Sequence, residues 1–161
     1  MRLYIETVGC QMNVLDSEMV VASLRKQGFE LESELSAADV ILFNTCSVRE
    51  QAENKTYSAL GRLRSFKKQH PEKIIGVMGC MAQKDQKLVF ERAPYVDLVV
   101  GAKSIERYPE LLEEALSRRF DWPAENRDAW PEPAPQAGPA AALTIMRGCN
   151  YSCTYCIVPA V

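Results

Sequence analysis

Over the first 119 positions, short and nearly continuous apolar runs alternate with longer segments in which apolar residues recur every three or four positions. The runs are Leu3–Val8, Phe29–Glu32, Val40–Asn44, Ile74–Met78 and Val96–Val100. Consecutive apolar positions suit strands covered on both faces, as in a parallel sheet lying between helices. The intervening segments predict helices at about Asp16–Gln27, closed by Gly28; Val48–Gln69, followed by His70 and Pro71; Gln86–Arg92; and Ile105–Arg119, with Ser104 as its N-cap. This alternation predicts an α/β domain of about five parallel strands flanked by helices and joined by right-handed crossovers.

The pattern stops at Phe120. Between Asp121 and Pro139 lie five of the nine prolines and both tryptophans, Trp122 and Trp130. Fixed-φ sequence of this kind predicts a semi-rigid linker over 120–140, with the tryptophans strapping it to a neighbouring domain. A new strand signal, Ala141–Met146, follows and leads into Arg147-Gly148-Cys149. The segment 141–161 is too short to bury a core of its own, so it reads as the opening of a second domain. The expected organisation is a domain over 1–119, a linker over 120–140 and a truncated domain over 141–161.

Composition narrows the classes. Hydrophobic residues make up 47% and charged residues 25% of the 161, a globular balance and not a disordered one. With 19 Lys+Arg against 21 Asp+Glu the net charge is −2, so no large basic surface for nucleic acid is written into this stretch. The one basic concentration, Arg62, Arg64, Lys67 and Lys68, reads as a solvated helix face before it reads as a phosphate contact. Met1–Tyr4 lacks the apolar core of a secretory signal, and no apolar stretch reaches the roughly 18 residues needed to span a bilayer. The expectation is a cytoplasmic protein with no membrane partner. In a reducing compartment, cysteines serve as metal ligands, nucleophiles or core residues more often than as disulfides.

There are six cysteines. Cys149, Cys153 and Cys156 form C-x3-C-x2-C within one short loop, a spacing that can bring three thiolates to one centre. A structural zinc site wants four ligands, and no nearby His or Cys supplies a fourth; His70 reads as part of a solvated helix end. An iron–sulfur cube held by three cysteines instead keeps one iron free of protein ligands, and therefore available for chemistry. Cys10, Cys46 and Cys80 are far apart in sequence, yet each directly follows a predicted strand. In a parallel sheet all three would emerge at the carboxyl edge, where open α/β sheets bind ligands. Gly9 and Gly79 would let the backbone turn sharply there. The bland alternative is three buried structural cysteines.

These residues carry a resemblance. Cys149-x3-Cys153-x2-Cys156, with Tyr155 before the last cysteine, resembles the signature loop of radical S-adenosylmethionine enzymes. The stretches Gly9-Cys10-Gln11-Met12-Asn13 with Asp16-Ser17-Glu18, Asn44-Thr45-Cys46-Ser47-Val48-Arg49-Glu50, and Gly79-Cys80-Met81-Ala82-Gln83 resemble the N-terminal domain of the methylthiotransferases. The surroundings of these cysteines are similar to the tRNA branch, which acts on isopentenylated adenosine beside the anticodon, more than to the branch that modifies a ribosomal protein. The resemblance implies an N-terminal fragment: the family's chain goes on through a β/α barrel and a small RNA-binding domain, so this piece would not turn over alone.

It further implies two [4Fe–4S] clusters, with Cys10, Cys46, Cys80, Cys149, Cys153 and Cys156 as ligands. The second triad's open iron would chelate S-adenosylmethionine, whose reductive cleavage yields a radical that takes hydrogen from carbon 2 of the adenine. The first would present the sulfur that is methylated and transferred. Tyr155 would either pack near the adenine of the cofactor or simply fill the loop, and Asn13, Asn44 and Arg49 would bond cluster sulfur or the bound sulfur donor, with turn and cap duties the alternative for the two asparagines. The implied partners are tRNA, bound mainly by the remainder of the family's chain, an electron donor such as a flavodoxin-type reductant, and a sulfur source, with the enzyme a monomer. No general acid or base is singled out. Two other classes stand beside this one. An electron-transfer relay would ordinarily use four cysteines per cluster. A zinc-stabilised binding module would leave the strand-end placement of three cysteines unexplained.

Overall fold

The computed structural model describes residues 1–48, 50–118, 148–151 and 153–160. Arg49, the linker with Trp122 and Trp130, the expected strand Ala141–Met146 and Arg147 lie outside the described residues. The first 118 residues form five strands, β1 Arg2–Val8, β2 Glu30–Leu31, β3 Val40–Thr45, β4 Ile74–Gly79 and β5 Leu98–Gly101. Helices α1 Gln11–Lys26, α2 Glu50–Gln69, α3 Cys80–Lys84, α4 Gln86–Arg92 and α5 Tyr108–Ser117 connect or follow them. The strands pair in the order β2-β1-β3-β4-β5, every pair parallel, as the apolar runs predict.

β3 and β4 are buried at every position, and their side chains divide by the period of two that a strand imposes. Val40, Leu42, Ile74 and Met78 join Leu15, Leu24, Tyr108 and Leu112 in one core. Ile41, Phe43, Ile75 and Val77 join Leu60, Leu63, Met81 and Val89 in a second core on the opposite face. Helices α1 and α5 thus cover one face, and α2, α3 and α4 the other. Because the chain runs outward from β1 to β2 in one direction and to β3 in the other, the order reverses between β1 and β3. A crevice at the carboxyl ends of those two strands is the general consequence.

Helix boundaries bring two corrections. α1 starts at Gln11, five residues before the expected Asp16, because Cys10 is its N-cap. The first turns also invert the usual pattern, with Asn13, Asp16 and Ser17 buried and Met12 and Val14 exposed. A search for an apolar inner face cannot find such a start. Its end is as expected: Gly28, at φ +85°, accompanies bonds from Gly28 N–H to Arg25 O and from Phe29 N–H to Leu24 O, a Schellman closure. Ser104 is not a helix cap; it lies inside the 3-10 stretch Ala102–Arg107, and α5 begins at Tyr108, with Arg107 as the cap residue and Pro109 in the first turn.

The basic run is corrected too. Arg62, Arg64 and Lys68 are exposed, but Lys67 is buried against Asp97 and the Lys73 carbonyl. A long side chain near the helix end reached inward for an acid that the sequence places thirty positions away.

Candidate functional site

Parallel strands place every strand's carboxyl end on one edge, and Cys10, Cys46 and Cys80 come two, one and one residues after β1, β3 and β4. Register makes this a shared edge: Val8 pairs with Thr45, and Thr45 pairs with Gly79. The three differ in access, with Cys46 buried, Cys80 half-buried and Cys10 exposed, and all three are free thiols. Burial raises the Cys80 thiol most, and the charges of Cys46, Cys10 and Asp16 add to it, taking its pKa to about 11. A metal that binds there has to displace that proton.

Two asparagines fill the space behind the thiols. Asn13, on α1, accepts the Cys10 N–H at 3.1 Å through Oδ1, and the Cys10 thiol points at the same oxygen at 3.4 Å. Its Nδ2 donates to Asn44 Oδ1 at 2.9 Å and to the Thr45 carbonyl at 3.3 Å. Asn44, on β3, donates back to the Asn13 carbonyl at 2.7 Å and to Ser17 Oγ at 2.9 Å, and Ser17 is bonded in turn to Thr7 on β1 at 2.7 Å. Thr45 Oγ1 donates to the Met78 carbonyl of β4 at 3.0 Å. Asn13 and Asn44 therefore serve as cap and cross-strand residues, with Asn13 the one that also meets a cysteine sulfur. The third sequence candidate of this kind, Arg49, lies outside the described residues.

The glycines before the cysteines fit against this pair. A Cβ on Gly9 would lie 2.2 Å from Asn13 Oδ1, and one on Gly79 would lie 2.5 Å from both Asn44 Oδ1 and the Thr45 carbonyl. Gly79 also sits at φ +99°, a conformation that side-chain-bearing residues rarely adopt. Glycine at these two positions is what lets the loops after β1 and β4 close on the amides.

The donor set suits an iron–sulfur cluster. Three thiols share the edge, the Val48 N–H already points at Cys46 Sγ at 3.4 Å, and the buried Ser47 hydroxyl beside Cys46 has no hydrogen-bond partner among the described residues. Backbone and hydroxyl donors around cysteine sulfur are what tune such clusters. Among the described residues no three His, Cys, Asp or Glu side chains close on a point as ligands of one ion do. A cluster asks for something else, one thiolate on each of three irons. Sequence reasoning missed Ser17, Thr7 and Ser47. Single hydroxyl residues leave no periodic signal, although Ser17 and Ser47 stand within the motif stretches.

In the second triad, Gly148 is at φ +75° and the Cys156 N–H donates to the Cys153 carbonyl at 3.1 Å, so a tight turn brings these two positions together. Cys153 is exposed, and Cys149 and Cys156 are half-buried. Tyr155, the residue expected near a cofactor, is 92% exposed. Among the described residues, no helix is long and apolar enough to cross a membrane.

Comparison with known proteins agrees with the motif reading. The model of the uncharacterized protein family UPF0004 matches residues 2–101, from the first residue of β1 to the last of β5. The chain is 48% identical to the tRNA-2-methylthio-N(6)-dimethylallyladenosine synthase of Rhodopirellula baltica, over 98% of this chain and 36% of that relative. It is 45% identical to the synthase of the same name from Cereibacter sphaeroides, over 98% of this chain and 37% of the relative. With that of Coxiella burnetii the identity is 42%, again over 98% and 37%. The chain thus spans little more than a third of the length of these relatives. The resemblance read from the cysteine surroundings holds, and the chain belongs to the UPF0004 family, with tRNA-2-methylthio-N(6)-dimethylallyladenosine synthases among its relatives.

Proposed function

We propose that this chain carries the auxiliary-cluster domain and the opening of the radical S-adenosylmethionine domain of a tRNA methylthiotransferase. Its substrate would be isopentenylated adenosine next to the anticodon, modified at carbon 2. The observation that carries the reading is the meeting of Cys10, Cys46 and Cys80 at one sheet edge, each delivered by a different parallel strand. The relatives' names supply the substrate class.

In this reading Cys10, Cys46 and Cys80 hold one [4Fe–4S] cluster, and Cys149, Cys153 and Cys156 hold the other. When bound, the two clusters supply reductive cleavage of S-adenosylmethionine and a transferable sulfur. The protein's own residues do the rest. Cys46, deepest of the three, anchors the auxiliary cluster, while exposed Cys10 marks the side open to a substrate. Val48 N–H and Ser47 Oγ offer donors at the anchored side. Tyr155, fully available for contact, packs against the cofactor's adenine once S-adenosylmethionine is bound. The domain boundaries are 1–119, 120–140 and 141–161. tRNA is gripped mainly by the part of the enzyme that the relatives have beyond this segment, a flavodoxin-type protein donates electrons, a separate sulfur source recharges the auxiliary site, and the enzyme works as a cytoplasmic monomer.

Anaerobic reconstitution with iron and sulfide tests this. About eight irons per chain are expected, falling to about four when Cys10, Cys46 and Cys80 are changed to Ala, and likewise for Cys149, Cys153 and Cys156. One tightly held zinc and no sulfide would overturn it.

A further inference from the structure

Three loops must hold their thiols at fixed mutual distances, yet they hang from three different strands and have no bond to one another through cysteine. What they share is the amide pair. Asn13 bonds the first loop through the Cys10 N–H and the second through the Thr45 carbonyl. Asn44 ties the second to α1 through the Asn13 carbonyl and Ser17. The third loop abuts both amides at Gly79, where a Cβ would come within 2.5 Å of Asn44 Oδ1 and 3.1 Å of Asn13 Nδ2. Both side chains are buried, Asn13 at 1% and Asn44 at 0% exposure. The orientations are mutually fixed, since turning either amide over would set a donor against a donor or an acceptor against an acceptor.

We propose that Asn13 and Asn44 are positioning residues that set the spacing of Cys10, Cys46 and Cys80, and so the geometry of whatever these thiols bind. The inference rests on reading those cysteines as ligands of one cluster. A neutral pair suits this role, because it fixes distances through directional bonds and puts no formal positive charge beside anionic thiolates. Ser17 extends the network from Asn44 to Thr7 on β1.

The test uses this chain with Cys149, Cys153 and Cys156 changed to Ala, so that iron reports the first triad alone. Assembly of about four irons in that background is the check on the cluster reading itself, independent of the asparagines. Asn44→Ala and Asn13→Ala are then compared with Lys67→Met, which removes the buried ion pair with Asp97 at the opposite end of the sheet, with folding followed by circular dichroism. The expected result is a changed electron paramagnetic resonance signal, a shifted midpoint potential and at least a tenfold faster loss of iron to a chelator for the asparagine variants. Lys67→Met should lower thermal stability while leaving all three at the background value.

A metal-free readout covers variants that take up no iron. Cross-linking of Cys10, Cys46 and Cys80 by a short bifunctional thiol reagent should change its pair pattern in the asparagine variants and not in Lys67→Met. Folded asparagine variants with the background signal, potential and cross-linking pattern would overturn the proposal, as would Lys67→Met shifting them equally.

Discussion

The two ends of the sheet are finished in opposite ways. At the amino end, Lys67 Nζ and Asp97 Oδ2 meet at 2.7 Å with side chains 9% and 10% exposed. The same carboxylate oxygen accepts the Ile75 N–H at 2.8 Å, and the ammonium also donates to the Lys73 carbonyl. One charged pair thus joins the end of α2, the start of β4 and the turn before β5. At the carboxyl end, Asn13, Asn44, Ser17 and Thr45 bond one another and the backbone through neutral amides, hydroxyls and carbonyls, and the buried Asp16 carboxyl adds a charge felt at Cys80. The difference follows from what each end has to do. A buried ion pair serves an end that only has to stay shut, whereas an ammonium set among thiolates would compete with a metal for their charge. Strength and chemistry are placed at opposite ends of the same strands.

The sharpest way to break that division is to remove the charge lock. Lys67→Met leaves Asp97 buried without its cation, and a loss of about 3–5 kcal/mol is expected in urea unfolding. If the two ends are separate in role, the folded variant will take up iron at Cys10, Cys46 and Cys80 as the parent does. Reduced uptake by a fully folded variant would mean that the amino-end lock also shapes the site.

A smaller effect belongs to the middle of the sheet. Gly76, on β4, lies where a Cβ would come 2.5 Å from Tyr108 Oη and 2.9 Å from Leu42 Cδ2. Gly76→Ala should cost about 1–3 kcal/mol through overpacking. The Tyr108 hydroxyl is buried with no hydrogen-bond partner among the described residues, and burial holds it far above the ordinary phenol range. Tyr108→Phe removes that orphan group and should stabilise the fold by about 1 kcal/mol. The same change also removes the nearer clash, so in the Tyr108→Phe background Gly76→Ala should cost less than it does alone. Additive effects in a double-mutant cycle would show that the two residues do not meet.

The contrast between the ends also explains what could be read from the sequence. The strands were legible because β3 and β4 are buried throughout, and such runs appear as apolar blocks. The three strand-end cysteines were legible because order along a parallel sheet converts position in the chain into position on an edge. The start of α1 was not legible, because its buried face mixes Asn13, Asp16 and Ser17 with Leu15 while Met12 and Val14 face outward. Reversal of polarity at a helix start is a place where local rules yield to the site. Lys67 was misread for a related reason: its partner Asp97 is distant in sequence, and a lysine in a basic run gives no sign of which way it turns. Bonds between distant polar residues have no period, so both the charge lock and the amide pair had to be seen in three dimensions.

The finest distinction concerns the thiols themselves and involves no change in stability. In the metal-free chain, an alkylating reagent under native conditions should label exposed Cys10 first and buried Cys46 last among the first triad. Cys80 should lag for a second reason, since only thiolate reacts and its pKa stands at about 11. At pH 8 about one Cys80 in a thousand is ionised, so its rate should climb about tenfold per pH unit up to about pH 10 and level off near pH 11. The cause is burial first and the neighbouring charges of Cys46 and Cys10 second. Alkylating Cys10 with a neutral reagent removes one of those charges, so the Cys80 profile should then move to lower pH by a fraction of a unit. Mass spectrometry of the labelled peptides across the pH series reads both effects, and a Cys80 profile indifferent to the state of Cys10 would mean that the thiols do not share one electrostatic environment.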